Sequence, residues 1–312
     1  MTPLLAILTG CVSSPPSSAV PEPTASVSVV AGSVTVHHLA ERIGAGQPWE
    51  LSLLPPVDAD PGTWRPDAAA VSATQAADLI LLNGAGYERW VTTTALPATR
   101  VVRTADGVPP LQTGRRTHSH GSDGAHSHGD VDPHTWMDPR AYETQAVAVH
   151  AALSRLPGAD STALDAALHA LRDQLGQLDA DLQAAAPVPA PPMASNHPSF
   201  GHLGRRLGLS IVSLDIDPAV PPDAGTMADI HDWAASGEMP VMLWEAQPSA
   251  AVMDALPATV VHLTLDPLEH PRPGRGYAHA EQAQTNVAAL RSISRRRAPA
   301  ESHRMGAGGG GR

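Results

Sequence analysis

At 312 residues with 42% hydrophobic side chains, the chain is long enough for about two domains and too apolar to be disordered. A formal charge of −11, with no lysine anywhere, leaves no basic patch and excludes a nucleic-acid partner, because phosphate neutralisation needs one. Aromatics are only 3%, so Ala, Val and Leu must fill the core.

The chain opens on "PLLAILTGC", an apolar run that ends in Leu8, Thr9 and Gly10 before the only cysteine, Cys11. A single cysteine forbids an internal disulfide. Small residues before a lone cysteine resemble a bacterial lipobox, which implies a signal over 1–11 and a lipid on Cys11. Residues 12–27 are rich in Ser and Pro, a linker suited to standing a domain off a membrane. No later apolar run reaches the ~18 residues of a membrane helix. The expected protein is exported, tethered by its lipid or periplasmic, and monomeric.

A strand-then-helix alternation starts at Ser26. "SVSVVAG" and "SVTVHH" are β-branched and read as strands, followed by a short helix in "HHLAERIGAG". "WELSLLPP" is the next strand, and 60–77 is a loop and a helix. "DLILLNG" is continuously apolar over strand length, as expected of a parallel strand buried on both faces. "TRVVRTADG" adds another strand, closing a first βα lobe over 28–116. A histidine-rich loop spans 117–130, and a turn plus helix covers 131–159. Residues 160–187 read as one long helix with Leu164, Leu168, Leu171, Leu175 and Leu178 on one face, stopped by "PVPAPP". Alternation resumes over 188–294, with a last helix at 282–293 and a tail without structure over 295–312. The fold class is α/β: two βα lobes with parallel sheets, bridged by one long helix. Ligands of such sheets sit beyond the carboxyl ends of strands, which here means the cleft between the lobes.

Four candidates lie at those ends. His134 sits in "DPHTWMDPR", His197 follows "PPMASN", Glu245 ends "MPVMLWE" and Asp266 ends "ATVVHLTLD". Imidazole and carboxylate together suit a first-row divalent metal, zinc or manganese, better than calcium. Pro133, Pro139, Pro198 and Pro267 fix φ beside them, which lowers the entropy lost on forming a site. Two His-x-His pairs, His118 with His120 and His126 with His128, lie in Gly/Ser surroundings. Ordering each such residue costs about 1–2 kcal/mol, so this tract is expected to capture metal weakly beside a rigid His134 that retains it. Imidazole abundance favours zinc, with manganese second.

The lipobox, "DPHTWMDPR", "NHPSFGHLGRRLGL", "LWEAQPS" and "LDPLE", in that order, resemble the zinc/manganese-type solute-binding lipoproteins of bacterial ABC importers, over about residues 28–294. The resemblance implies an extracytoplasmic carrier, without catalysis, that hands its ion to a membrane permease. It implies His134, His197 and Asp266 as ligands, and Glu245 is read as support for a ligand imidazole. "LLPPVDADPGTWRPD" matches the stretch of the family's first ligand, but Gly62 stands in its place. His37, His38, a tract histidine or water are the stand-ins, with Asp58 and Asp60 nearby. Two other readings stay open: a metal-buffering surface lipoprotein that has lost transport, and a secreted zinc hydrolase using Glu245 or Asp58 as base.

Overall fold

The apolar run at 78–84 becomes β3 (Leu79–Leu82), whose four side chains are all buried, as a strand covered on both faces requires. The computed structural model describes residues 26–56, 59, 63–112, 118–119, 125–126, 131–271 and 277–297. Cys11, the linker to residue 25, Asp58, Asp60, Gly62, His120, His128 and the end of the tail lie outside them.

In the first lobe β1 (Val27–Ala31), β2 (Trp49–Leu53), β3 and β4 (Val101–Arg103) form a parallel sheet in the order β2-β1-β3-β4. Helices α1 (Val34–Ile43) and α2 (Ala68–Ala76) are its crossovers. Two very short antiparallel strands, β5 (His118–Ser119) and β6 (Ala125–His126), follow within the histidine tract. Helices α3 (Pro139–Leu153) and α4 (Ser161–Ala185) lead to the second lobe. There β7 (Met193–Ser195), β8 (Ile211–Ser213), β9 (Val241–Trp244) and β10 (Val261–Thr264) form a second parallel sheet, ordered β10-β9-β7-β8. They alternate with α5 (Gly201–Leu207), α6 (Ala224–Ala234) and α7 (Ala250–Ala255), and α8 (His279–Arg297) closes the chain.

Helix α4 has 25 residues, a span of about 37 Å at ~1.5 Å per residue. It packs on α1 and α3 of the first lobe and on α8 of the second. Its Leu164, Leu171, Leu175, Leu178 and Leu182 are buried in one core that also holds Val29 and Leu81 of the first sheet and Val241 and Leu243 of the second. Asp179, also on α4, is buried yet accepts from Arg206 through both oxygens and from Arg140, joining α3, α4 and α5. No helix among the described residues is long and apolar enough to cross a membrane.

Three sequence expectations change. The β-branched stretch 33–36 is not a strand but the first turn of α1, because Ser33 caps the helix by accepting from Val36 N. Val34, Thr35 and Val36 are buried there, so packing overrides their β preference. The tract is not all coil, since His118 pairs opposite His126 in the β5–β6 ladder. The last helix is longer than 282–293: among the described residues it runs from His279 to Arg297.

Candidate metal centre

His134 sits in a turn held by more than its proline. Asp132 Oδ1 accepts from the His134 backbone N–H at 2.9 Å and lies 2.7 Å from His134 Nδ1. The turn is fastened to the carboxyl end of β3. Asn83 donates from its side chain to the Pro133 carbonyl at 3.0 Å, and its Oδ1 accepts from Thr135 and Gln145 at 3.3 and 2.7 Å. Gln145 also donates to Thr104, just past β4, at 2.8 Å. All these polar groups are buried and mutually bonded, which makes the platform rigid. Helix α5 comes up against the same turn: a Cβ on Gly201 would stand 2.5 Å from Asp132 Oδ2, so glycine is required there.

The second lobe supplies the facing half. His197 follows β7 directly, and its Nδ1 lies 2.8 Å from Glu245 Oε1, at the end of β9, and 2.7 Å from Ser199 Oγ. Ser199 donates a short hydrogen bond to the same Glu245 oxygen. A carboxylate on Nδ1 keeps the proton on that nitrogen and turns Nε2 into the metal-binding atom. Burial works against ionising Glu245, but the charge and hydrogen bonds of His197 and Ser199 hold its pKa well below the usual carboxylate range.

The two halves meet. The rings of His134 and His197 lie edge to face with centroids 5.8 Å apart, and the residues are 1% and 5% exposed. Two imidazoles sharing one ion at ~2.0–2.1 Å sit about 5 Å apart between ring centres, so less than an ångström of approach joins them. Ser199 Oγ lies 3.4 Å from His134 Nε2. Glu269 Oε1 lies 3.1 Å from the same nitrogen. Burial opposes a charge on His134, but Asp132 and Glu269 outweigh it and push its pKa up to about 10. A cation bound at Nε2 takes the place of the proton that these two carboxylates favour there. Among the described residues no three His, Cys, Asp or Glu side chains already stand as a finished cage. The donors are arranged in touching pairs, and their N/O chemistry suits zinc.

Trp136 braces this contact from behind, packed against His134 and Tyr87, and its indole N–H donates across the lobes to the Pro267 carbonyl at 2.9 Å. Asp266 follows β10, with Oδ1 accepting from Leu268 N and Oδ2 from the Gln282 side chain. His38 is buried on α1, edge-on to Tyr277 and close to His279, whose neighbours Leu268 and Trp136 border the site; His37 beside it is partly exposed. His202 is buried and reaches the Asp132 carbonyl at 3.1 Å. Sequence reading missed Asp132, Ser199 and Glu269. The signals were present in the motifs themselves: an acid two residues before His134, a hydroxyl two after His197, and an acid three after Asp266.

Comparison with known proteins agrees with this fold. The chain is 27% identical over 158 residues to the high-affinity zinc uptake system protein ZnuA of Yersinia pestis, an alignment that covers 48% of this chain and only about half (50%) of that relative. Its fold is similar to that of the metal-dependent lipoprotein YcdH from Bacillus subtilis, with a TM-score of 0.71 and 21% identity over 85% of this chain and 98% of that one. It is also similar to the Zn(II)-bound ZnuA-like domain of AdcA from Streptococcus pneumoniae, with a TM-score of 0.69 and 19% identity over 86% and 99% of the two chains. The family model for the zinc-uptake complex component A, periplasmic, matches residues 29–292. With both lobes and both histidines inside that match, the chain belongs to the ZnuA family of periplasmic zinc-uptake components.

Proposed function

We propose that this protein binds one divalent transition-metal ion, zinc before manganese, outside the cytoplasm and delivers it to a membrane ABC permease without catalysing a reaction. A single observation carries the reading: buried imidazoles from opposite lobes, His134 and His197, meet with ring centres 5.8 Å apart. Each has a carboxylate against its Nδ1, Asp132 and Glu245 respectively, which leaves Nε2 as the donor to the ion. Asp266, past the carboxyl end of β10 in the same parallel sheet whose strand β7 leads to His197, supplies a carboxylate in this reading. Membership of a zinc-uptake family and the nitrogen-rich donor set both favour zinc. The histidine tract captures metal weakly, and a lipid on Cys11 tethers the carrier to the membrane; the permease takes the ion from the cleft.

Calorimetric titration of the full chain with zinc tests this. One tight ion is expected, abolished by His134→Ala and retained when residues 117–129 are deleted. A tight ion that survives His134→Ala, or one that disappears with the tract, overturns the reading.

A further inference from the structure

We infer that Glu88 is a positioning residue for the metal ion: its buried carboxylate holds the loop after β3 in the shape that aims His134 into the cleft. This rests on the carrier reading above, and Glu88 itself stays outside the ligand set. The first support is strain. Gly84, Ala85 and Gly86 follow one another at φ +82°, +50° and +81°. Glycine takes this left-handed conformation freely but alanine does not, and such a backbone persists only where its surroundings over-determine it. Glu88 supplies the hold. Its Oε1 accepts from the Asn83 backbone N–H at 2.6 Å and its Oε2 from that of Gly84 at 3.0 Å, so one carboxylate closes the loop with both oxygens. Gly32, just past β1, makes room for it, since a Cβ there would stand 3.2 Å from Glu88 Oε1 and 2.7 Å from the Leu82 side chain.

The second support is what the loop touches. Two arms run from it to His134. Asn83, whose backbone one Glu88 oxygen holds, donates from its side chain to the carbonyl of Pro133 at 3.0 Å, the residue before the histidine. Tyr87, next to Glu88 in the chain, lies edge to face with the His134 ring at 6.3 Å between centroids and with Trp136 at 4.9 Å. One arm fixes the backbone that carries the imidazole and the other packs against the ring. A shift of the loop moves both at once.

The third support is the cost of the arrangement. Glu88 is 5% exposed, and burial pushes its pKa up to about 7, although the N–H groups of Gly84 and Asn83 and the charge of Arg103, at the end of β4, pull the other way. Gly32, Asn83 and Gly84, which also surround the carboxylate, carry no titratable side chain. An apolar side chain or an amide would fill the same space without the penalty of burying a charge. The ionised carboxylate alone offers two acceptor oxygens together. A protonated carboxyl or an amide keeps one acceptor and turns a donor toward the second N–H, so the loop loses half its hold.

The test uses the full chain, stripped of metal by chelation, with zinc titrated against a chromophoric competitor from pH 8 to pH 6 and cobalt(II) absorption read in parallel. Glu88→Gln is expected to bind zinc roughly 10-fold more weakly than the wild type at pH 8, the lower end of what an outer-sphere partner costs. The two affinities should converge at pH 6, where the wild-type carboxyl has taken up its proton and accepts like the amide; protonation of the ligands is common to both proteins and cancels. Ala85→Gly placed in the Glu88→Gln chain should recover most of the loss, because glycine keeps the left-handed turn without the carboxylate. The wild type gives a check that needs no folded variant: its cobalt bands should move between pH 8 and pH 6 with the ion still bound. Equal affinities at pH 8, a gap that persists at pH 6, no recovery by Ala85→Gly, or fixed wild-type cobalt bands each overturn the inference. With the ion still lost in His134→Ala, the carrier reading then stands; retention of the tight ion in His134→Ala removes that reading as well.

Discussion

Asp132 shows how much the candidate site depends on a residue outside the proposed ligand set. One of its oxygens serves both the backbone N–H and Nδ1 of His134, fixing the ring's direction and its donor atom together. Burial would raise the Asp132 carboxyl, but its bonds to His134 and the charges around it bring the pKa below the ordinary value. The other oxygen is buried without a partner among the described residues, pressed against Gly201. Asp132→Asn keeps the shape and removes the charge. Zinc affinity is expected to drop roughly 10–100-fold with the far-ultraviolet circular dichroism unchanged, as for outer-sphere partners of ligating histidines generally. An unaltered affinity would show that the proline-braced turn orients His134 without this carboxylate.

At the scale of elements, α4 does the mechanical work. Its leucines face both lobes at once, so the packing of each lobe reports on the other. Leu175 is 1% exposed, and Leu175→Ala is expected to cost about 2–5 kcal/mol, measured as a lower urea midpoint with an unchanged slope. A smaller loss would mean that the surrounding side chains collapse into the space. The leucine spacing made α4 legible from the sequence, because the 3.6-residue period is a local property. Helix α1 was not legible at its start. Local preference and tertiary burial point in opposite directions over 34–36, and the Ser33 cap and the core decide for helix.

At the scale of the whole molecule, the junction of α1 with α8 sets the response to acid. His38 from the first lobe and His279 from the second are buried, and each Nδ1 lacks a partner among the described residues. Burial is the main reason their pKa values fall, to about 3 and about 4; neighbouring positive charges lower His38 further, while the Trp136 carbonyl partly offsets the shift in His279. Both values lie below that of an exposed histidine, near 6.5, so the unfolded chain takes up protons first as pH falls. Their contribution to stability is complete above about pH 6.5 and is lost as pH drops through 4 and 3, at most ~1.4 kcal/mol per pH unit for each ring. Urea midpoints of the metal-free chain at pH 7, 6, 5 and 4 should therefore decline, and less steeply in His279→Phe. An equal slope in that variant would place the acid sensitivity elsewhere.

What the sequence determined by itself was everything written in local periods and turns. The both-face apolar run at β3, the leucine stripe of α4, the strand-helix alternation that dictates parallel sheets, and the rigid Asp-Pro-His turn all follow from neighbours within a few positions. His197 and Glu245 were expected as polar residues at strand ends and lie just past β7 and β9, whereas His134 stands in a turn rather than at a strand end. Only the tertiary structure decided which of those ends meet. It set His134 against His197, brought Glu269 across the cleft onto His134 and packed His38 against Tyr277 near His279. No local pattern encodes these pairings, because they depend on how the two sheets and the elements around α4 come to rest against each other.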